Sequence, residues 1–399
     1  MDHSPDSART LLRQPRGVLL AGRDVARRGL RRFTAVTAAL LGSLALTATA
    51  AEPSDRNVVL VTLDGVRIQE LFTGMDPVIA NATEAESGIY DAGLTRARYW
   101  RETPGERREA LMPFFWKTLV PAGLVLGNPA LGSPVTVRNS QWFSYPGYSE
   151  ILTGEPQAEV QSNDFVRYPH ETALDYAQRR LGLKATEVAQ IGSWDGFKYA
   201  ASQKDGSFFM SGAYDPVPAE LSTPEMDELA ALRPEVLQLW EESSNDTLTF
   251  RLALSYLQRH QPRVLWLGFG QSDDWAHARR YDRLLDYLQL VDRHLGQLWA
   301  TLQSMDRYRG NTTLIITTDH GRGRTPADWA EHDAGIEGSQ DIWIAIIGPD
   351  TPAQGEVRGQ AGVTQGDVAA TMLQYLGLDH RDFNPDGGPP IPGSLKTGD

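Results

Sequence analysis

Carboxylate and imidazole side chains follow three separate apolar segments of the sequence, at the point where each segment ends. They are Asp64 after residues 58–63, Asp273 and His277 after residues 264–268, and Asp319 and His320 after residues 313–317, with His332 further along the chain. Aspartate and histidine are the ligands that a borderline cation such as zinc takes where thiolates are absent, and this chain has no cysteine. These side chains are therefore candidates for a metal site.

The spacing of these residues bears on how many ions they could hold. Asp273 and His277 are four positions apart, so on a helical turn both side chains lie on one face and can converge on one ion. Asp319 and His320 are adjacent and point in different directions, which suits two neighbouring metals better than one. Each piece alone is more often a turn or a helix cap, but their combination on three strand ends favours a metal centre.

The elements that must position these residues are predicted from hydrophobic patterning. Four segments are almost continuously apolar, as is typical of parallel strands buried on both faces; they are residues 58–63, 264–268, 313–317 and 342–347. Helical spacing predicts one helix over residues 281–298 and another over residues 367–376, which Gly377 ends. Strands that alternate with helices predict an α/β protein with a mostly parallel sheet, which binds ligands beyond the carboxyl ends of its strands.

A serine near the start of another predicted helix is a candidate nucleophile. Pro146 suits the first turn of a helix that runs through Ile151. Ser144 then lies just ahead of the helix N-terminus, where backbone N–H groups favour an anion. A serine there that is coordinated by a metal could ionise and attack phosphorus or sulfur. Taken alone, this serine would more simply be an N-cap residue.

Composition narrows the class of protein. The chain has 399 residues, of which 41% are hydrophobic and 22% are charged, as in ordinary globular proteins. The absence of cysteine excludes disulfides, iron–sulfur clusters and a thiol nucleophile. The first 50 residues carry a net charge of +5, so the rest carries −18 of the overall −13. A body this acidic repels a phosphate backbone, and no nucleic-acid polymer is expected as a partner.

Residues 1–50 are predicted to be an export signal peptide. Four arginines between positions 27 and 32 precede an uncharged run over residues 33–51 that ends in the small-x-small pattern Ala48-Thr49-Ala50. Arg31-Arg32 also loosely resembles a twin-arginine signal. A membrane anchor or a basic tail is the alternative, but the run is short and interrupted by Thr and Ser. We expect a cleaved signal, Sec or twin-arginine, and a periplasmic or secreted protein that meets the membrane only if the signal stays uncleaved.

In their order along the chain, the motifs resemble those of the alkaline phosphatase superfamily. The closest branches are the type I phosphodiesterase/nucleotide pyrophosphatase branch and the phosphoglycerate-mutase-like branch. The Asp-x-x-Gly-His motif is present as Asp273 to His277, with Ala276 in place of glycine, and Asp-His-Gly as Asp319-His320-Gly321. The resemblance implies an alkaline-phosphatase-like three-layer α/β/α sandwich with a mostly parallel central sheet. It also implies a single metallohydrolase catalytic domain over residues 51–399.

The resemblance implies two zinc ions, in whose place other divalent cations could serve. One ion would be held by Asp64, Ser144, Asp319 and His320, and the other by Asp273, His277 and His332. His332 is placed only by its position, and Asp274 is a rival of Asp273 with a spacing of three to His277 instead of four. Ser144 would attack the phosphoryl group and form a covalent phosphoserine, which water then hydrolyses.

The chain departs from the family in the segment after the nucleophile. Where the phosphodiesterase branch has Phe-Pro-Asn-His, this sequence has Tyr145-Pro146-Gly147-Tyr148, so the asparagine that would hold phosphoryl oxygens is replaced by Gly147. Candidates for another donor are Asn163, Arg167, Lys198 and Lys204, and candidates to line a substrate groove are Trp142, Trp194 and Trp275. The remaining central histidines are interpreted as structural; they are His170, His260 and His294.

We therefore expect an exported two-zinc hydrolase of small phosphoric esters, either a phosphodiesterase or a phosphomonoesterase. The alternatives are a sulfate or phosphonate ester hydrolase or a phosphotransferase of the same fold, and a catalytically silent binding domain. The sulfatase motif Cys/Ser-x-Pro-x-Arg would need arginine where Tyr148 stands, which argues against a sulfatase. The chain has no Gly-x-Ser-x-Gly segment, which argues against a serine triad hydrolase.

Overall fold

An eight-stranded sheet forms the centre of the protein in a computed structural model that describes residues 55–396. In chain order the strands are β1 (Asn57–Leu63), β2 (Leu124–Leu126), β3 (Val135–Thr136), β4 (Val188–Gly192), β5 (Phe209–Ser211), β6 (Val264–Phe269), β7 (Thr312–Thr317), β8 (Asp341–Ile342), β9 (Ile344–Ile347), β10 (Gly355–Glu356) and β11 (Val363–Thr364). The large sheet has the order β10-β2-β9-β7-β1-β6-β4-β5, and β11-β3-β8 form a small second sheet. The five strands from β7 to β5 are mutually parallel, so the mostly parallel sheet is confirmed.

Helices connect the strands. The α-helices are α1 (Ile68–Thr73), α2 (Pro77–Ala80), α3 (Glu84–Ser87), α4 (Ala92–Tyr99), α5 (Pro104–Leu111), α6 (Val120–Ala122), α7 (Ser144–Thr153), α8 (Ala173–Leu181), α9 (Gly196–Ala201), α10 (Pro224–Leu232), α11 (Asp246–His260), α12 (Gln271–His277), α13 (Tyr281–Ser304) and α14 (Asp367–Tyr375). Single π or 3-10 turns lie at Phe115–Leu119, Pro129–Leu131, Arg233–Glu235 and His380–Asp382. The two helices predicted from spacing are α13 and α14.

The helices cover both faces of the large sheet. Every residue of β1 is buried, and its side chains alternate between two apolar cores. Val59 and Val61 pack in one core with residues of α5, α11 and α13, whereas Val58 and Leu60 pack in the other with residues of α7, α8, α9 and α14. This arrangement confirms the predicted three-layer sandwich. It also explains the unbroken apolar run, because a central strand meets helices on both sides.

The described residues belong to one compact unit. The predicted export segment, residues 1–50, lies outside the described residues. Within residues 55–396, no helix combines the length and the apolarity that a bilayer span requires.

The strand predicted over residues 342–347 is wrong in extent and direction. Ile342 belongs to β8 of the small sheet, which is antiparallel to β3, whereas β9 is antiparallel to both β2 and β7. Trp343 separates the two strands, and its indole N–H donates to the carbonyl of Val66 at 3.0 Å. An apolar run reports burial on both faces, but it carries no information about strand direction.

The carboxyl ends of three neighbouring strands meet at one edge of the sheet. β1 lies between β6 and β7 and is parallel to both, with Leu63 opposite Phe269 and Thr62 opposite Thr317. The N–H of Asp64 still donates to the carbonyl of Phe269 at 2.9 Å, so the first residue beyond β1 is held in the ladder. The segments that follow these strands must therefore share one edge.

A buried arginine joins the segments behind this edge. Arg67 is fully buried and pairs with Glu70 and, at 3.0 Å, with Asp76. Its Nη1 donates to the carbonyl of Gly323 at 2.9 Å, and the Tyr281 hydroxyl donates to Glu70 at 2.8 Å. One guanidinium and two carboxylates out of water depend on one another, because each would be costly to bury alone.

Replacement of Arg67 by leucine should therefore destabilise the protein strongly. Arg67→Leu leaves two buried carboxylates without their partner, which should lower the free energy of unfolding by about 3–5 kcal/mol. Urea unfolding followed by tryptophan fluorescence measures this. Arg381→Leu, which removes an exposed arginine paired with Asp379, is the control and should leave the midpoint unchanged. Equal midpoints for both variants would contradict the structural role of Arg67.

Candidate active site

Two imidazoles and a carboxylate come together beside α12. The Asp273 Oδ2 lies 3.3 Å from His277 Nε2, and His277 Nε2 lies 3.0 Å from His332 Nε2. His332 Nε2 is in turn 3.6 Å from Asp273 Oδ1. Asp273 and His277 lie on one face of α12, whereas His332 comes from the long segment after β7. The structure thus brings together the three residues expected to hold one ion.

A second group lies next to the first, at the ends of β1 and β7. His320 Nε2 is 3.3 Å from Asp64 Oδ1 and 3.4 Å from Asp319 Oδ2. It is also 4.0 Å from Asp273 Oδ1, so the two groups are adjacent and Asp273 lies between them. Asp64, Asp319 and His320 are three of the four residues expected to hold the other ion, and they too are brought together.

The donor atoms at the centre of these groups fit a divalent cation. Asp64 Oδ1, Asp319 Oδ2 and His320 Nε2 are all buried and have no hydrogen-bond partner among the described residues. Buried polar atoms without a partner are rare because each costs free energy. Three of them in one place, beside the carboxylate of Asp273, form a donor set of carboxylate oxygens and an imidazole nitrogen that suits zinc or a similar ion.

Electrostatics distinguishes the imidazoles of the two groups. Burial lowers the pKa of His320, but the carboxylates of Asp319 and Asp64 outweigh it and raise this pKa to about 9. Burial and the charge of Asp64 raise the pKa of Asp319. Burial, with the nearby positive His320, lowers the pKa of His277 and of His332. A bound cation would therefore take the place of a proton on His320 and meet two neutral imidazoles.

Neighbouring groups orient the candidate ligands. The N–H of Gly65 donates to Asp319 Oδ1 at 2.9 Å, and the Tyr148 hydroxyl donates to Asp64 Oδ2 at 2.8 Å. His320 Nδ1 donates to the Gly321 carbonyl at 2.8 Å, which leaves Nε2 free to bind an ion. The buried guanidinium of Arg322 contacts Asp273 Oδ1 and donates to the Gly65 carbonyl at 3.1 Å.

Ser144 is the first residue of α7. The N-cap is Phe143, which has an extended backbone, so Ser144 lies one position further into the helix than predicted and does not cap it. Ser144 is buried and lines a cavity of about 280 Å³ together with Asp64, Asp273 and His277. The candidate nucleophile therefore shares one cavity with Asp64 of one group of candidate ligands and with Asp273 and His277 of the other.

The loop before Ser144 is fixed by a buried glutamate. Glu150 of α7 accepts the backbone N–H of Arg138 at 3.0 Å and that of Asn139 at 2.7 Å. The Asn139 side chain then accepts the N–H groups of Gln141 and Trp142. Trp142 takes a φ of 58°, which a tryptophan rarely adopts without such support. This network sets the direction in which the chain enters α7.

Close packing explains why glycine stands at position 147, where the chain departs from the family motif. A Cβ on Gly147 would lie 2.6 Å from the carbonyl oxygen of Asp319 and 3.0 Å from its Cβ. Helix α7 therefore approaches the end of β7 too closely for any side chain at this position. No phosphate-holding side chain could project from position 147 without displacing Asp319.

The four candidate donors have different positions. Asn163 lines the cavity with Ser144, and its Oδ1 accepts the N–H of Tyr145 at 2.9 Å. Arg167 and Lys198 line a separate cavity, because carboxylates hold them there: Arg167 pairs with Asp205 at 2.7 Å and Lys198 with Asp215 at 2.9 Å. Lys204 is exposed. Only Asn163 of the four is brought to the candidate site.

Of the remaining aromatic and histidine candidates, one lines the cavity and the others lie elsewhere in the fold. Trp194 lines the cavity, whereas Trp142 and Trp275 pack against the two apolar cores. The histidines interpreted as structural lie among protein groups; His170 contacts Glu159, His260 contacts the Leu221 carbonyl, and His294 stacks on Phe250.

Several site residues were missed from the sequence. Tyr148 is one helical turn after Ser144 and Arg322 directly follows Asp-His-Gly, so both positions carried a signal. Trp240 and Glu242 line the cavity from a segment without periodic pattern, and nothing in the sequence pointed to them. Asp274, the rival of Asp273, also lines the cavity, and burial with the charges of Asp246, Asp64 and Glu242 raises its pKa to about 8.

Solved structures show the same class of fold. A mutant of the alkaline phosphatase PafA superimposes with a TM-score of 0.54 at 11% identity, over 86% of this chain and 99% of that one. Ps i-CgsB superimposes with a TM-score of 0.50 at 15% identity, over 83% of this chain and 74% of that one. The fold is that of the alkaline phosphatase superfamily.

The family follows from the sequence of the same region. The model of the type I phosphodiesterase / nucleotide pyrophosphatase family matches residues 139–348, more than half of the chain. The chain belongs to this family of hydrolases. The matched region includes the candidate nucleophile and every candidate ligand except Asp64.

Curated relatives are 2,3-bisphosphoglycerate-independent phosphoglycerate mutases. That of Gracilaria tenuistipitata var. liui is 22% identical over 200 residues, which cover 50% of this chain and 35% of the relative. That of Synechococcus sp. (strain JA-2-3B'a(2-13)) is 27% identical over 210 residues, which cover 49% of this chain and 34% of the relative. The matches thus span about a third of the length of these relatives.

A methyl group at position 147 should disturb the site. In Gly147→Ala the new Cβ must displace either α7 or Asp319, so we expect a loss of about 1–3 kcal/mol in the free energy of unfolding and a weaker affinity for zinc. Urea unfolding and competition with a chromophoric chelator measure the two effects. Gly105→Ala is the matched control, because no atom lies within 4 Å of a Cβ there. Wild-type zinc affinity in Gly147→Ala would refute the close contact.

Metal affinity should rise with pH. Because a cation must displace the proton that His320 holds up to about pH 9, the apparent zinc association constant should increase at least tenfold per pH unit between pH 6 and pH 8, and more steeply where Asp319 is also protonated. Chelator competition at several pH values measures the slope, and proton release in weak buffer counts the displaced protons. His170→Ala should keep the same slope. A pH-independent affinity would show that His320 is not a ligand.

Proposed function

We propose that this protein hydrolyses phosphoric diesters at a two-metal centre, with Ser144 as the nucleophile. The observation that supports it is the shared cavity, which Ser144 lines together with candidate ligands of both adjacent groups, Asp64, Asp273 and His277. In this proposal Asp64, Ser144, Asp319 and His320 hold one zinc ion, and Asp273, His277 and His332 hold the other. When bound, the two cations supply positive charge that favours the ionised serine and stabilises the phosphoryl oxygens in the transition state.

The residues of the chain determine how the ester is bound. Of the positions after Ser144, the N–H of Tyr145 donates to Asn163, Pro146 has no N–H, and the N–H of Gly147 donates to the Phe143 carbonyl. The start of α7 therefore offers little to an anion, contrary to the expectation from the sequence. Because the Oδ1 of Asn163 accepts from Tyr145, its amide nitrogen remains to donate to a phosphoryl oxygen.

The chemistry is two displacements at phosphorus. The Ser144 Oγ forms a bond to phosphorus as the bond to the leaving alcohol breaks, which gives a covalent phosphoserine. The proton that Ser144 loses balances the one that the leaving alcohol takes up. Water then forms a bond to phosphorus and gives up a proton, and the departing serine oxygen takes up a proton, which restores the hydroxyl. No lysine or arginine is among the described residues that line the cavity. A singly charged diester therefore suits the site better than a doubly charged monoester.

We also propose, from residues 1–50, that the protein is exported and acts on small esters in the periplasm or outside the cell. The acidic composition supports small molecules as substrates, because a nucleic-acid polymer would be repelled.

Removal of the Ser144 hydroxyl tests the proposal. With zinc present, the wild type should hydrolyse bis-p-nitrophenyl phosphate with a higher kcat/KM than p-nitrophenyl phosphate. Ser144→Ala should lower kcat for the diester by about 10³-fold or more, because no other group can form the covalent intermediate. Ser140→Ala, an exposed serine of the same loop, is the matched control and should keep the wild-type rate. Wild-type turnover by zinc-loaded Ser144→Ala would refute the assignment.

A further inference from the structure

The part of the cavity beyond Ser144 has a distinct composition. Its wall, which we call the acidic aromatic wall, consists of Phe165, Trp194, Trp240, Glu242 and Asp274. The other ionisable residues that line the cavity are the candidate metal ligands. Positive charge in this cavity would thus come from bound ions, whereas the wall itself carries only carboxylates and aromatic rings.

The two carboxylates of the wall are not needed by the metal groups. Glu242 is exposed at the mouth of the cavity. Asp274 is only 5% exposed, and its Oδ2 is buried without a hydrogen-bond partner among the described residues. Glu242 forms no ion pair in the described part of the chain. Glu242 is the exposed carboxylate of the wall, and a carboxylate that lines a cavity without a cationic partner is suited to a ligand that brings one.

The aromatic rings of the wall are suited to the same kind of ligand. Trp240 is 47% exposed and its ring lies 6.5 Å from that of His277. Trp194 lies 5.8 Å from Phe165 in an edge-on arrangement, and Phe165 is itself exposed. The negative face of an aromatic ring attracts a cation, tryptophan most strongly.

The backbone holds the aromatic and acidic parts of the wall together. Trp194 forms an antiparallel bridge with Ser243, and the N–H of Ser244 donates to the Ser193 carbonyl at 2.7 Å. The N–H of Asp195 donates to the carbonyl of Glu242 at 3.2 Å. Gln238, just before the segment, accepts a hydrogen bond from Gln271 at the start of α12. The wall is therefore a formed surface that is anchored beside the metal ligands.

We propose that the acidic aromatic wall binds a positively charged substituent of the substrate, a quaternary or primary ammonium group on a short alcohol esterified to the phosphate. This inference rests on the proposed phosphodiester hydrolysis. The phosphate lies at Ser144 and the ammonium group lies against Trp240, Trp194 and Glu242. A cavity of about 280 Å³ is at the small end of ligand sites, which suits a compact aminoalcohol better than a nucleoside.

A pair of esters that differ only in charge tests this inference. p-Nitrophenyl phosphorylcholine and p-nitrophenyl 3,3-dimethylbutyl phosphate have the same leaving group and the same shape, but only the first carries a trimethylammonium group. In the wild type, kcat/KM for the choline ester should exceed that for the neutral ester about tenfold. Glu242→Gln and Trp240→Leu should each reduce this ratio at least threefold.

Glu241→Gln is the matched control, because Glu241 is an exposed neighbour that does not line the cavity; it should keep the wild-type ratio. Equal kcat/KM for the two esters in the wild type would overturn the inference while leaving the proposed hydrolysis intact. A higher kcat/KM for the p-nitrophenyl ester of thymidine 5′-monophosphate than for the choline ester would overturn it too.

Binding without turnover separates this inference from the proposed function. Choline itself, titrated into the zinc-loaded protein, should change the tryptophan fluorescence at lower concentration than 3,3-dimethylbutanol does. Glu242→Gln should remove that difference. If neither ester were hydrolysed but choline bound selectively, the proposed function would fail, whereas the selectivity of the wall for an ammonium group would stand. If choline and dimethylbutanol bound alike, the inference would fail whatever the rates.

Discussion

Three carboxylates within a few ångströms of one another, out of water, are the constraint on which the site depends. Asp64, Asp273 and Asp319 follow neighbouring strands. One oxygen each of Asp64 and Asp319 has no hydrogen-bond partner among the described residues, and Asp273 Oδ1 contacts the guanidinium of Arg322. Such an arrangement is costly unless positive charge is supplied. The protein provides part of it through His320 and Arg322. Bound cations would supply the remaining positive charge, and the site has donor atoms that could hold them.

The surrounding structure maintains this arrangement through contacts that tolerate little change. Gly147 lets α7 lie directly against the end of β7. Arg67 ties the segment after β1 to the segment after β7, and Glu150 fixes the loop that leads into Ser144. These residues touch neither candidate ion nor substrate, yet they decide where the ligands and the nucleophile lie. A site of this kind is precise because its supporting residues are buried.

The sequence predicted the parts of the site that are tied to strand ends, since parallel strands bring their carboxyl ends to one edge. Asp64, Asp273 and His320 are such residues. Arg167 and Lys198 were wrongly predicted to hold the phosphate. The sequence does not show that Asp205 and Asp215 pair with them in a separate cavity. Glu242 was missed because it lies in an irregular segment that reaches the cavity through backbone pairing with Trp194. The direction of β9 was wrong for a related reason, since burial leaves strand direction undetermined.

The contact between Arg322 and Asp273 has a consequence for the charge of the whole centre. Two divalent cations and the carboxylates of Asp64, Asp273 and Asp319 would together have a net charge of about +1. The guanidinium of Arg322 would raise this net charge to about +2. An ionised serine and a singly charged ester would neutralise that centre completely, whereas a doubly charged ester would leave it negative in a medium that solvates charge poorly. An arginine that never touches the substrate would thus set the valence of the anion that the centre accepts.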